Sequence, residues 1–395
     1  MIVRKTRPEE TLRANELFAI AFELPTTREA AAKPDGENLH RWSAFDDSSG
    51  EMMSTFTIND YTVRFDGHAC RMGGIGGVAT LPQYRRRGGI RGCFQAALPD
   101  MYASGYDFSY LYPFSTAYYR KFGYECCVRK LFTSVRLSLL VPPEFSGTFR
   151  LAEAGNPMTE AIRAVDACWE SKYNMMVQHR PEDYKWTEEP APAVKQLFTY
   201  VCFAQDGTPK AYATFSKADE KEGRNLVCSR FCFVDREGFS GLMNLFKSLS
   251  SDHVLAKFAL PASEAMQYML PEWSMDAASS ILHPSGMVRV INAESVLKKA
   301  AYLGSGSAVL EIRDPQIPEN NRTFAVQFSQ GKAVSVEETQ EEADAVLSIT
   351  AFSALIAGVC GFQEAAAWVD SLKVRRPTSL SQVFYRKPLM IVDNF

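Results

Sequence analysis

The sequence predicts an α+β protein built on mixed sheets and divided into three consecutive domains; three observations predict it. Short apolar runs rich in Val, Ile, Phe and Tyr alternate with helical periodicities along the whole chain. Breaks at Pro142-Pro143 with Gly147, and at His283-Pro284-Ser285-Gly286, cut it into stretches 1–141, 142–285 and 286–395. The middle stretch repeats the strand–helix–strand order of the first in degenerate form. A chain of 395 residues has the length of two or three domains at roughly 150 residues each.

Within the first stretch, residues 1–5 read as a strand, and Thr6 with Glu9 reads as a capping box around Pro8. A helix follows through Leu12, Leu17 and Phe18 to about Phe22. Pro25, Thr26, Thr27, Pro34 and Gly36 make residues 22–40 a loop or a set of short helices, suited to walling a pocket. Strands at 53–58 and 61–65 are separated by Asn59-Asp60, and Asp66-Gly67 turns the chain into a strand over 69–79. After a basic glycine loop, Ile90, Phe94, Ala97 and Met101 fall on one face of a helix over 90–103. The next strand, 108–112, lies parallel to the one before the helix through a right-handed crossover. Residues 125–140 read as one long terminal strand.

The second stretch offers strands at 197–204, 210–216, 225–234 and 254–260, with a helix at 239–249. Where the first stretch has its basic loop, this one has Asp235-Arg236-Glu237-Gly238, with one cation between two acids. The third stretch offers a helix at 293–301, strands at 308–312 and 322–328, and a Gly331 turn. It holds the longest uncharged run, 345–363, which approaches membrane-spanning length. Ser348, Thr350, Ser353, Gly358 and Gly361 interrupt that run, so it reads as a buried strand entering a buried helix.

With 46% apolar and 23% charged residues, the chain is neither disordered nor collagen-like. A net charge of −3 argues against nucleic acid as partner. The first ten residues lack the apolar core of a secretory signal, so the chain is expected in the cytoplasm, away from membranes. Nine cysteines without CxxC, and five histidines without common spacing, point to reduced thiols and no metal.

Chemistry concentrates at Gly76-Gly77-Val78-Ala79-Thr80-Leu81-Pro82-Gln83-Tyr84-Arg85-Arg86-Arg87-Gly88-Gly89-Ile90. A strand ends, a loop rich in N–H groups and cations follows, and a helix begins; its N-terminus would face an anion such as a pyrophosphate. Composition alone does not separate this from a solvated charge run. A Walker loop is excluded by the missing Gly-Lys-Ser/Thr ending. A dinucleotide fingerprint on Gly74 to Ala79 would sit inside the strand and lacks its distal acid.

Arg85-Arg86-Arg87-Gly88-Gly89-Ile90 resembles the coenzyme A loop of the GNAT acetyltransferase superfamily, Arg/Gln-x-x-Gly-x-Gly/Ala, except for Ile90. The resemblance implies that the amides from Arg86 to Gly89, with the side chains of Arg85, Arg86 and Arg87, hold the pyrophosphate of acetyl-CoA. It implies that Val78, Ala79 and Thr80 bind the pantetheine arm, the Val78 amide polarising the thioester carbonyl. Within the stretch Ser115 to Tyr124, residues Tyr119 through Tyr124 fit the family's Tyr-x-x-x-Gly-Phe/Tyr element. That makes Tyr119 the acid at the coenzyme sulfur, adds Ser115 to the coenzyme site, and leaves Tyr118 a packed aromatic.

Over nearly its full length the chain resembles the Eis (enhanced intracellular survival) family: a catalytic GNAT domain, a degenerate GNAT-like domain and a sterol-carrier-protein-like domain. The opening at Gly286 to Ile291 and the ending Pro388 to Phe395 are similar to that third domain. The family implies acetylation of a primary amine (aminoglycoside, polyamine-like molecule or lysine side chain) by direct transfer. The terminal carboxylate of Phe395 would act as base, in a homotrimer or homohexamer. Asn394 stands where an acid would attract a polycationic drug, which leaves aminoglycosides less secure than amines in general. Phe22, Glu23, His40 and Trp42 are the candidates for the amine pocket, with a solvated surface carboxylate the alternative for Glu23. The rival class is a non-catalytic coenzyme A- or lipid-binding protein. Tyr119 beside the basic loop argues for the enzyme, because a sensor needs no proton donor at the sulfur.

Overall fold

The computed structural model describes residues 1–188, 190–221, 223–264, 266–272, 274–369, 372–377 and 379–393. The first stretch forms β1 (Ile2–Lys5), α1 (Thr11–Phe22), α2 (Arg28–Ala31), β2 (Leu39–Phe45), β3 (Met52–Phe65), β4 (His68–Thr80), α3 (Gly89–Ala103), β5 (Phe108–Leu111), α4 (Thr116–Arg120) and β6 (Glu125–Cys126). Next come β7 (Arg129–Arg136), β8 (Thr148–Leu151), α5 (Thr159–Lys172), α6 (Lys185–Glu188), α7 (Pro192–Lys195), β9 (Leu197–Phe203), β10 (Pro209–Glu220), β11 (Gly223–Phe233), α8 (Arg236–Ser248), β12 (Leu255–Pro261) and β13 (Ala278–Pro284). The last stretch forms β14 (Met287–Val290), α9 (Ala293–Lys299), β15 (Gly306–Arg313), β16 (Thr323–Ser329), β17 (Lys332–Glu338), β18 (Ala345–Ser348), α10 (Ile349–Ala357), α11 (Phe362–Trp368), β19 (Leu372–Val374) and α12 (Leu380–Val383). Two compact units result: Met1–Val128 with Ser285–Lys387 and Asp393, and Arg129–Pro284 with Pro388–Val392.

In the first unit, seven strands form one mixed sheet in the order β1-β2-β3-β4-β5-β14-β6. The helix α3 buries Ile90, Cys93, Phe94, Ala97, Leu98 and Met101 on one face of it. On the other face α1 buries Ala14 and Leu17 against Phe45, Met52, Ala79 and Leu81. Each helix thus covers apolar sheet surface at i, i+3 and i+4 spacing, worth about 1.5–3 kcal/mol per large side chain fully buried. The β14 segment comes from beyond residue 285 yet lies between β5 and β6, antiparallel to both.

The same unit holds a five-stranded sheet, β17-β16-β15-β18-β19. Its parts are fastened to the first sheet by buried polar contacts. The Asp107 carboxylate accepts from Lys299 Nζ at 2.7 and 2.8 Å and from Ser295 Oγ at 2.6 Å. Lys387 pairs with Asp66 at the tip of the β3–β4 hairpin, both almost fully buried. The uncharged run is β18 leading into α10, capped by Ser348, whose Oγ accepts from Ala351 N at 3.2 Å. No helix among the described residues is long and apolar enough to cross a membrane.

The second unit's sheet runs β13-β7-β12-β11-β10-β9-β8. As expected from the repeated order, β11 and β12 flank α8 and pair in parallel, Leu226 opposite Ala256 and Val227 opposite Lys257. Here α8 starts three residues before the expected 239, because Asp235 caps it: its carboxylate accepts from Gly238 N at 3.0 Å. Asp235 and Glu237 both pair with Lys210, so this helix N-terminus carries its own counter-charges. Pro388–Val392 belongs to this unit, where Asn174 N donates to the Pro388 carbonyl and Met390 N to the Asn174 carbonyl.

Three local expectations change. The strand expected over 125–140 is two strands in different sheets: β6 pairs with β14, while β7 pairs with β12 and β13. Between them Val128 accepts from Ser285 N at 2.7 Å, so the backbone changes partner there. Asn59-Asp60 does not interrupt β3, because both stay in register with Gly74 and Gly73 of β4. The capping box at α1 shifts by one residue, with Arg7 N donating to Glu10 at 2.9 Å, because the Thr6 hydroxyl is taken by Ser43 Oγ at 2.7 Å.

Candidate active site

The site begins where β4 parts from β5. The two strands pair in parallel only from Met72 opposite Phe108 to Ile75 opposite Leu111. Beyond that point β4 keeps β3 as its neighbour, and its other edge leaves the β5 register. The β3–β4 ladder is bulged here: Thr57 faces Gly76 and Thr55 faces Ala79, so Gly77 and Val78 together oppose Phe56. A bulge re-aims backbone groups at the edge where it sits. Gly77 takes φ +57°, and a Cβ there would lie 3.4 Å from the Phe18 ring of α1. Ala79 is buried on the α1 face, Val78 packs against the α3-side core, and Thr80 Oγ1 meets Ser54 Oγ at 2.9 Å.

Past Thr80 the chain makes one tight turn at Pro82–Tyr84 and enters the basic loop. Tyr84 anchors its base, donating from Oη to Glu51 Oε2 at 2.7 Å, while Arg13 holds the other Glu51 oxygen at 2.9 Å. Arg86 is left-handed at φ +66° and Gly88 at φ +85°. Gly88, left-handed, directly precedes the helical Gly89, and such a pair turns successive N–H groups toward one concavity, the geometry of an anion nest. The Arg87 and Gly92 amides donate to the Tyr84 and Gly88 carbonyls. The amides of Arg86, Gly88, Gly89 and Ile90 find no acceptor among the described residues. Arg85, Arg86 and Arg87 are exposed and form no ion pair among those residues. The loop therefore offers amides, a helix N-terminus and three guanidinium groups without counter-charge. Ile90, the departure from the family pattern, turns its side chain into the core beside Trp42 and Phe94 and leaves the loop's amides untouched.

Tyr119 sits on α4, whose N-terminus is capped by Ser115 Oγ, accepting from Tyr118 N at 3.4 Å. Its ring is only 2% exposed and meets Phe94, Phe114, Tyr118 and Tyr124 edge-on at 5.3–6.4 Å. The neighbouring Tyr124 shares a hydrogen bond with Ser109 at 2.6 Å, whereas the Tyr119 hydroxyl has no partner among the described residues. Burial, with small contributions from Tyr118 and Tyr124, raises the Tyr119 phenol well above its ordinary value. It is therefore protonated at neutral pH and can act there only as a donor. Tyr119 and Val78 pack on one core cluster, which brings the aromatic motif and the bulge to the same face of the sheet. Gly123 is needed because a Cβ would lie 2.2 Å from Arg289 Nη1.

The expected amine pocket is only partly assembled. Phe22, half exposed, lies tilted against Phe18 with ring centroids 4.6 Å apart, and Glu23 ends α1 in a left-handed conformation at φ +56°. Glu23 lines a shallow depression with Glu16, Ile20 and Leu24. Trp42 does not join them. It is 8% exposed, beneath α3 among Ile90, Phe94 and Leu98, because β2 turns that position to the α3 face. His40 is exposed, 3.5 Å from Asp60. Ser115 spends its hydroxyl on the α4 cap. Asn394 and Phe395 lie outside the described residues, but Asp393 is described: Tyr112 Oη donates to its carbonyl at 2.7 Å. Sequence reasoning missed Tyr112, although a tyrosine where a strand leaves its neighbour was a usable signal. Among the described residues no group of three or more His, Cys, Asp or Glu is arranged to hold a metal ion.

Comparison with known families and structures fits this geometry. Residues 2–127 match the acetyltransferase (GNAT) domain and residues 293–385 the sterol carrier protein domain. The chain carries a GNAT acetyltransferase domain and a sterol carrier protein domain, within an Eis-like fold. Among solved structures, the chain is similar to Eis1 from Mycobacterium abscessus, with TM-score 0.81 and 17% identity, covering all of both chains. A conserved protein of unknown function from Enterococcus faecalis V583 matches with TM-score 0.86 and 21% identity, over 100% of this chain and 99% of its own. A GCN5-related N-acetyltransferase from Anabaena variabilis matches all of both chains with TM-score 0.85 and 18% identity. Among curated proteins nothing matches. The α+β class read from the sequence is that of the observed fold.

Proposed function

We propose that this acetyltransferase moves the acetyl group of acetyl-CoA directly to a primary amine on a small molecule or a lysine side chain. One observation carries the reading: the bulged, β5-free half of β4 leads within a few residues into a cationic nest at a helix N-terminus. That order of donors suits a ligand with an amide-bearing arm ending in a diphosphate. Acetyl-CoA has this shape and would supply an acetyl group activated as a thioester.

The unsatisfied amides of the loop and of the first turn of α3, with Arg85, Arg86 and Arg87, hold the diphosphate. The backbone of Val78, Ala79 and Thr80 holds the arm, and the Val78 amide stabilises negative charge on the thioester oxygen. The Phe395 carboxylate takes a proton from the amine as the new C–N bond forms. The Tyr119 hydroxyl gives its proton to the sulfur as the C–S bond breaks, and solvent restores it.

Thiol release from acetyl-CoA across a panel of primary amines tests the reaction, and calorimetric titration of acetyl-CoA tests the site. In an Arg85→Ala/Arg86→Ala variant, each lost charge-assisted contact is worth about 1.5–3 kcal/mol, so affinity should fall at least tenfold with the fold intact. Unchanged affinity would move the coenzyme elsewhere.

A further inference from the structure

A carboxylate is an odd neighbour for a loop proposed to hold a diphosphate, yet Glu51 meets the basic loop at its base. Glu51 Oε2 accepts from the Tyr84 hydroxyl at 2.7 Å, and Tyr84 directly precedes Arg85. By Coulomb energy alone, a negative charge there repels the ligand and weakens the site. Two contacts offset that charge and put it to another use. Arg13 Nη2 donates to the other carboxylate oxygen at 2.9 Å, so the acid is paired. The bond to Glu51 raises the Tyr84 phenol above its ordinary value, so the hydroxyl stays a donor.

Glu51 is itself held by a tight turn. Asp46 N donates to the Glu51 carbonyl at 2.9 Å, and the Asp46 carboxylate accepts from the Ser48 and Ser49 amides at 3.1 and 3.0 Å. Tyr84 grips the loop in turn. Its amide donates to the Leu81 carbonyl at 2.9 Å, and its carbonyl accepts from Arg87 N at 3.4 Å. Its ring packs on the cluster that Ala14 and Leu17 of α1 form with Ala79 and Leu81. The Arg87 guanidinium lies over that ring, 5.3 Å from its centroid. The helix that presents Arg13 to Glu51 also presents Phe18 to Gly77 in the bulge of β4. One helix therefore touches the strand proposed for the arm and, through Glu51 and Tyr84, the loop proposed for the diphosphate.

We propose that Glu51 is a positioning residue: its carboxylate, held by Arg13, fixes Tyr84 so that the basic loop keeps its anion-binding shape in register with β4. The proposal rests on the reading of that loop as the diphosphate site. A loop held in its binding shape before the coenzyme arrives spares binding an ordering cost. The contribution is that of one hydrogen bond, because Glu51 and Arg13 are both partly exposed and salt screens their charges.

The charge and the anchor of Glu51 act with opposite signs, and substitution separates them. Glu51→Met removes both, whereas Tyr84→Phe removes only the anchor. We expect each variant to bind acetyl-CoA roughly 3- to 10-fold more weakly by calorimetry at unchanged melting temperature, the equivalent of one net hydrogen bond. The double variant should bind no more weakly than either single one, because both break the same contact. S-acetylpantetheine, which has the arm without the diphosphate, should bind wild type and both variants alike in NMR titrations. A general loosening of the structure would not give that pattern. With a primary amine that turns over, KM for acetyl-CoA should rise while kcat at saturation holds. Equal or tighter binding of acetyl-CoA by Glu51→Met overturns the proposal, since the charge then outweighs the anchor. Additive losses in the double variant, or an equal loss for S-acetylpantetheine, overturn it as well. If Arg85→Ala/Arg86→Ala leaves affinity unchanged, the loop is not the diphosphate site and the underlying reading falls instead.

Discussion

A phenol ringed by four aromatic side chains keeps its proton, and Tyr119 combines that setting with a hydroxyl that has no partner among the described residues. Removing the hydroxyl leaves the packing almost unchanged. We expect Tyr119→Phe to bind acetyl-CoA as tightly as wild type and to transfer acetyl 10²–10⁴-fold more slowly, the usual range for loss of a general acid. Pre-steady-state thiol release would check this, and full activity would return Tyr119 to a packing role. His253 shows the opposite consequence of burial. Its Nδ1 lies 3.4 Å from the Leu249 carbonyl, and Nε2 is buried without a partner among the described residues. Burial lowers its pKa below 6.5. A base depressed in the folded state contributes stability that is full above its unfolded value and lost as pH falls through the folded one. The melting temperature of the wild type should therefore drop below about pH 6.5, and less so for His253→Leu. Parallel melting curves for the two proteins between pH 7.5 and 5 would refute this.

Adjacent glycines at the start of α3 serve different ends, and substitution separates them. At Gly88 nothing lies within 4 Å of a Cβ, but φ is +85°, so Gly88→Ala should cost about 1–2 kcal/mol of backbone strain. At Gly89 a Cβ would stand 2.3 Å from Ser54 Oγ and 3.0 Å from Ser54 Cβ. Gly89→Ala must lift the first turn of α3 from β3, costing about 1–3 kcal/mol and displacing the free amides of the helix start. Only the Gly89 variant should lose affinity for acetyl-CoA beyond what its stability explains, as calorimetry beside chemical denaturation would tell. The corresponding helix of the second unit, α8, predicts its own outcome. With Asp235 and Glu237 at its N-terminus it repels a diphosphate, so titration should give one acetyl-CoA per chain. A stoichiometry of two would contradict that electrostatic reading.

Across the whole molecule, the first unit is held by polar contacts between residues hundreds of positions apart. Lys387 and Asp66 form a pair whose side chains are 2% and 4% exposed, and burial lowers the Lys387 pKa despite its partner. Lys387→Met leaves the buried Asp66 without its paired cation while the Ala301 amide still donates to it, which should destabilise the unit by about 3–5 kcal/mol in denaturant titrations. Adding Asp66→Asn should recover part of that loss. None of this was legible beforehand: Asp66-Gly67 reads as a turn, and the turn is there, but nothing near Asp66 announces a lysine 321 positions later. The same limit explains β14 lying between β5 and β6, the burial of Trp42 under α3 and the grip of Tyr112 on Asp393. By itself the sequence determined the basic loop ahead of α3, the aromatic motif around Tyr119, the apolar face of α3 and the order of domain types. Those features rest on spacings of three or four residues, on glycine's access to positive φ and on donors left free at a helix start, all set by near neighbours. Tertiary structure decided which strand completes the first sheet, what Asp393 meets and which aromatic side chains are buried. Those choices depend on distant surfaces fitting one another, and no local stretch of sequence encodes its partner.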